Sequence, residues 1–210
     1  MCGRYTLKQP RAVLEAHFGV PVPEMFRYNI APSQDVPAIT FDDVKMLRWG
    51  FVPSWSKEPK VKFANINARR ETVASSNAYR ASFRKRRCLL PADGFYEWAP
   101  GPPKVPHHFR LGDGGPFAFA GLWERWEHGE PLETCALITT MANAVVGPVH
   151  DRMPVLLLRE HYNAWLDPEA TEEELMGLLG PPPAELLVGY PVGGAVNRPS
   201  FDGPECVEPV

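Results

Sequence analysis

The chain has little that would carry it across a membrane, few cysteines and little net charge, and each shortage excludes a class of protein. No run of about 18 apolar residues occurs, so no transmembrane helix is expected. The start, Met1-Cys2-Gly3-Arg4-Tyr5, lacks the apolar stretch of a secretory signal, and a cytoplasmic protein is the expectation. Four cysteines, at positions 2, 88, 135 and 206, have neither metal-ligand spacing nor the density of a disulfide scaffold. Free thiols in a reducing compartment follow, with no metal site and no cofactor. A formal net charge of only -3 gives, by itself, no reason to expect nucleic acid as a partner.

The distribution of charge does. Residues 1–110 hold 18 Lys and Arg against 9 Asp and Glu, whereas residues 111–210 hold 4 against 16. Within 57–87 the balance is 10 basic to 2 acidic, ending in Arg84-Lys85-Arg86-Arg87. Screening limits each charge to roughly 8–10 Å, so a local basic surface attracts phosphate even on an acidic protein. A solvated basic face explains the same charges equally well.

The chain has 24 prolines, which argues against long uninterrupted helices through its middle. Pro10 to Phe18 reads as a short helix stopped by Gly19. A second helix starts near Glu71, and a third spans Arg159 to Leu166. A fourth opens at Thr171, where Glu174 completes a capping box and Gly180 supplies the stop. Aromatic-rich apolar runs at 36–40, 45–51, 88–91, 95–98, 107–111, 116–123, 134–140 and 154–158 read as strands. Segments 31–36, 52–60, 99–106 and 181–185 read as loops. No linker or repeat divides the chain. The expectation is one α+β domain over 1–210, a mainly antiparallel, curved, barrel-like sheet with flanking helices.

Cys2 opens a specific chemistry. Cysteine is small enough for the initiator Met1 to be cut away, which leaves an amine and a thiol on one residue. An aldehyde condenses with the amine to an imine, and the thiol closes a five-membered thiazolidine. A terminal amine with a pKa of about 7.7–8.0 is neutral in roughly a tenth of molecules at pH 7. A small buried cysteine near a terminus is the plain alternative. A Met-Cys-Gly start also resembles the amidotransferases with an N-terminal nucleophile.

Six blocks carry a closer resemblance: Met1-Cys2-Gly3-Arg4, Tyr28-Asn29-Ile30-Ala31-Pro32, Trp49 to Trp55, Asn67-Ala68-Arg69-Arg70-Glu71-Thr72, Cys88 to Trp98, and His150-Asp151-Arg152-Met153-Pro154. In this order they resemble the SOS-response-associated peptidase (SRAP) family over nearly the whole chain. The resemblance implies a monomeric protein that binds single-stranded DNA and single-strand/double-strand junctions, nucleoid-associated when bound. It implies a thiazolidine cross-link between Cys2 and abasic sites, with weak lyase activity and removal of its own Met1 as further possibilities.

The resemblance assigns roles residue by residue. Asn67 would hold the terminal amine or the opened sugar. Glu97 would shuttle protons during imine formation and ring closure, and His150 would protonate the sugar ring oxygen. An apolar neighbourhood of Phe95, Tyr96 and Trp98 suits Glu97 to that work by raising its pKa, and histidine titrates near neutrality already. Arg4, Arg69 and Arg152 would contact phosphates through the two-point geometry of guanidinium. Trp55 would stack on a base, with Asn29 and Pro32 supporting the same DNA-binding surface, whereas Trp49 reads as core. Ser56-Lys57 follow Trp55 where a family member carries a second aromatic, so the stacking platform is smaller here. A thiol peptidase and a non-catalytic single-strand binder remain the rival readings.

Overall fold

The computed structural model describes residues 2–59 and 65–210. Met1, and Lys60 and Lys62 of the basic segment, lie outside the described residues. The strands in chain order are β1 (Tyr5–Leu7), β2 (Arg27–Ile30), β3 (Asp35–Ile39), β4 (Val44–Trp49), β5 (Asn67–Arg69), β6 (Arg87–Ala92), β7 (Gly94–Ala99), β8 (Val105–Leu111), β9 (Phe117–Trp126), β10 (Leu132–Met141), β11 (Arg152–Pro154), β12 (Leu156–Leu157) and β13 (Leu187–Pro191). The helices are α1 (Arg11–Phe18), α2 (Arg70–Val73), α3 (Arg80–Lys85), α4 (Tyr162–Leu166) and α5 (Glu172–Gly177).

The long strand β10 organises the larger sheet. Its first half pairs with β4 on one side and β9 on the other; its second half pairs with β5 and β11. Because β4 continues through β3 and β6 to β9, which returns to β10, these five strands close into a small barrel. Closure leaves few free edges and explains a core rich in Phe, Leu and Ala. The second sheet, in the order β13-β8-β7-β1-β2, covers the barrel. Tyr5 of β1 joins the two layers, edge-on to Trp49 at 5.3 Å and to Phe119 at 5.5 Å. The expected α+β architecture with a curved, barrel-like and mainly antiparallel core is the one found.

Local signals act as expected at two helix ends. Gly19 ends α1 in the left-handed conformation at φ 73, where its amide donates to Glu15 O. Thr171 and Glu174 form the reciprocal capping box of α5. That helix ends at Gly177, a turn before the expected stop at Gly180, and closes with Leu178 N–H donating to Leu175 O. Helix α3 and strands β1, β2, β5 and β13 lie outside the expected elements; these strands are 3, 4, 3 and 5 residues long, too short to show an alternating pattern. Strand β3 begins at Asp35, inside the expected loop 31–36.

The basic run at the end of α3 serves the fold rather than forming one open face. Arg87 is buried, and its guanidinium donates to Trp165 O at 2.7 Å, Phe83 O at 2.8 Å and Arg84 O at 2.6 Å. Arg86 pairs with the buried Glu124 at 2.7 Å. Arg84 stays exposed, with a 3.6 Å ion pair to Glu172.

Candidate functional site

Cys2 lies three residues before the start of β1, and the register Tyr5↔Phe95 fixes what lies beside this segment. Continued two residues toward the terminus, that antiparallel pairing brings Gly3 level with Glu97. Alternation along β7 puts Glu97 on the same side as Phe95, which stacks on Phe109 in the core at 5.2 Å. A carboxyl is thus carried inward at the end of the sheet, and Glu97 is only 2% exposed. Burial pushes its pKa up to about 7. A carboxyl at that value is present in both protonation states at neutral pH, as proton transfer requires.

Cys2 itself is fully buried, and its Sγ lies 3.6 Å from Arg4 O. Burial, and next the negative charge of Glu97, push the thiol above its ordinary range, so at neutral pH it is a thiol rather than a thiolate. The third group comes from the barrel. Asn67, on β5 beside Leu137 of β10, donates from Nδ2 to Cys2 O at 2.9 Å. Among the described residues its buried Oδ1 has no hydrogen-bond partner, which leaves an acceptor close to Cys2.

A cavity of about 450 Å³ opens beside these residues, lined by Gly3, Arg4, Glu97 and His150. His150 lies in the turn between β10 and β11; the Arg152 backbone N–H donates to its Nδ1 at 3.0 Å, and Asp151 Oδ1 lies 2.9 Å from the same nitrogen. Burial lowers the His150 pKa, and the Asp151 carboxylate offsets part of that shift. Trp98, Lys104 and Asn197 complete the wall, with Trp98 Nε1 donating to Asn197 Oδ1 at 2.7 Å. Lys104 and Asn197 were not among the expected site residues: both sit in Pro- and Gly-rich stretches, where nothing in the local pattern singles them out.

Cys2, Asn67, Glu97 and His150 therefore come together from four separate segments. Arg4 joins them; it is half-buried, and its Nε is a buried donor without a partner among the described residues. Arg69 is exposed at the end of β5, two residues beyond Asn67. Trp55 is 64% exposed on the loop after β4 and does not line the cavity. Pro32 is half-buried in the tight turn where Ser33 adopts φ 71. Trp49 is core, with Nε1 donating to Ile66 O at 3.0 Å.

Two expected DNA contacts have other tasks. Asn29 is fully buried, and its Nδ2 points at Arg198 O (3.0 Å) and Phe201 O (2.8 Å), tying down the C-terminal segment from beneath. It is out of reach of a surface ligand. Arg152 is 9% exposed and pairs with both carboxylate oxygens of Glu71, at 3.2 and 2.9 Å. Cys88, Cys135 and Cys206 are buried free thiols, and Cys206 packs with Tyr96, Val192 and Val196. Among the described residues no group of three or more His, Cys, Asp and Glu is placed to hold a metal ion, and no helix is long and apolar enough to cross a membrane.

The pattern of blocks and this fold agree with known proteins. The family model of the SOS response associated peptidase (SRAP) matches residues 1–199. The chain belongs to this family. It is 39% identical over 222 residues to the abasic site processing protein YoqW of Bacillus subtilis (strain 168), across 99% of each chain. The abasic site processing protein YedK of Escherichia coli (strain K12) is 30% identical over the full length of both. A crystal structure from Bacteroides thetaiotaomicron superposes with a TM-score of 0.91 over 100% of both chains at 24% identity, a likeness of fold alone.

Proposed function

We propose that this protein captures the aldehyde of abasic sites in single-stranded DNA as a covalent thiazolidine on Cys2, after Met1 has been removed. The observation that carries the reading is the meeting of Cys2 with Asn67 and Glu97 beside a cavity lined by His150. The names of YoqW and YedK as abasic site processing proteins support the same substrate.

The steps balance as follows. His150 gives a proton to the ring oxygen and the C1′ hydroxyl gives one up in return, so the closed sugar opens to the aldehyde with no net change in protons. The neutral amine of Cys2 attacks C1′ and gives a carbinolamine. Protonated Glu97 delivers its proton to the carbinolamine hydroxyl, one water leaves, and the nitrogen proton returns to the Glu97 carboxylate as the imine forms. The Cys2 Sγ then adds to the imine carbon, and its proton passes to the nitrogen. Overall, aldehyde and aminothiol become thiazolidine and water, with no oxidant or reductant. The raised thiol pKa fits this order, since the amine attacks first and the thiol closes the ring. β-Elimination from the imine, before closure, would give a weak lyase activity. Arg4 and Arg69 hold flanking phosphates, while Trp55 and Pro32 face a neighbouring base.

A denaturing gel tests the reading. Mature protein is incubated with single-stranded DNA carrying one abasic site, beside undamaged DNA and a Cys2→Ala variant. A shifted band that needs both the lesion and Cys2 is expected. A heat-stable band with Cys2→Ala would overturn the reading. No band from protein confirmed to lack Met1 would favour the peptidase or plain binding alternatives.

A further inference from the structure

We infer that Glu71 is a positioning residue for His150, acting through Arg152 to hold the ring in the tautomer whose proton is on Nε2. The inference rests on the proposed function for its effect on the reaction, but its geometry stands alone. Arg152 Nη1 and Nη2 meet the two oxygens of Glu71 at 3.2 and 2.9 Å, and Nη2 also donates to Thr139 O at 2.8 Å. Glu71 stands on α2 and Thr139 on β10, so the guanidinium is gripped by two regular elements. The backbone of Arg152 is fixed too, paired with Met141 at the start of β11.

From that fixed point the Arg152 amide donates to His150 Nδ1 at 3.0 Å. A ring nitrogen that accepts a hydrogen bond carries no proton, so the neutral ring is protonated on Nε2. Asp151 Oδ1, 2.9 Å from the same Nδ1, makes the opposite demand, because a carboxylate accepts from a protonated nitrogen. Two neighbours compete for one atom, and the Glu71–Arg152 fork holds one of them, the amide, in place. The other charged groups facing His150 across the cavity are Glu97, Arg4 and Lys104. The Glu71 side chain is 47% exposed, so its replacement leaves the core intact.

The test is the protonation pattern of the His150 ring nitrogens, read by ¹⁵N NMR at about pH 8 on the full chain without DNA, with the cross-linking rate beside it. Wild type should show Nδ1 bare and Nε2 protonated. Glu71→Ala should give a mixture of tautomers and a cross-linking rate lower by about tenfold to a hundredfold, the scale of a small misplacement. Glu71→Gln, which keeps an acceptor for the fork, should restore most of both. Arg152→Lys, which loses the fork but keeps the charge, should reproduce the tautomer mixture and covers the case in which Glu71→Ala does not fold. An unchanged tautomer in these variants overturns the inference, as does a changed tautomer with an unchanged rate. Absence of any cross-link in wild type would refute the proposed function, while the NMR comparison would still decide the geometry.

Discussion

Asp93 and Glu97 lie close together in one hairpin, are 1% and 2% exposed, and have pKa values raised first of all by burial, yet their surroundings differ. Asp93 is saturated: the Thr6 hydroxyl donates to Oδ1 at 2.5 Å, the Lys8 amide donates to Oδ2 at 2.7 Å, and the Lys8 ammonium lies 4.0 Å away. It stitches β1 to the β6–β7 turn, where Gly94 is required because a Cβ would sit 2.2 Å from His108 Nε2. Glu97 instead borders the cavity, next to a nucleophile. Burial alone marks neither residue as chemical; what separates them is that a cavity and a reactive group stand beside Glu97.

That contrast can be broken by substitution. Glu97→Gln should slow cross-linking by roughly 10²–10⁴-fold in single-turnover assays, the usual worth of general acid–base catalysis. Asp93→Asn, once folded, should leave the rate within tenfold; an equal loss in both would erase the distinction. Stability should respond in reverse. Asp93→Ala strands the buried Thr6 hydroxyl and the part-buried Lys8 amide and should cost on the order of 2–5 kcal/mol in denaturant unfolding.

Glu97 has the opposite sign. Its folded pKa, about 7, lies above the ordinary carboxylate value of 4.5, so the protonated form stabilises the fold fully below about pH 4.5, and this contribution is lost as pH rises through 7. Glu97→Gln should therefore gain relative to wild type by up to about 3 kcal/mol between those pH values. Parallel pH–stability curves for the two proteins would contradict the shift. The smallest effect concerns the rim. Trp55→Ala should weaken non-covalent binding to undamaged single-stranded DNA by roughly 1–3 kcal/mol while the adduct still requires Cys2, as measured by fluorescence anisotropy.

Much of this was legible in the residues. Apolar runs and turn signals placed β3, β4 and β6 to β10, because those runs are long and half or fully buried, while the run 154–158 covers β12. The blocks named Cys2, Asn67, Glu97 and His150; the fold puts Glu97 and His150 on the wall of one cavity and sets Asn67 against the backbone of Cys2. What escaped were side chains whose task depends on a partner far away in sequence. Nothing local to Asn29 reveals that Phe201 O waits beneath it, nor that Arg152 is gripped by Glu71. Arg86 and Arg87 read as surface charge until α3 and α4 surround them. Asn197 enters the site only because the C-terminal segment folds back across β7 and is pinned there by Trp98.

The central claim is that the amine and thiol of one residue, Cys2, take up the aldehyde with loss of one water. Its most direct test is mass spectrometry of the nuclease- and protease-trimmed adduct formed with a single abasic site. The account predicts one modified peptide beginning at Cys2, lacking Met1, with a mass equal to peptide plus sugar fragment less one water and with no alkylatable thiol. An adduct on a lysine, a peptide that retains Met1, or a Cys2 thiol still open to alkylation would contradict it.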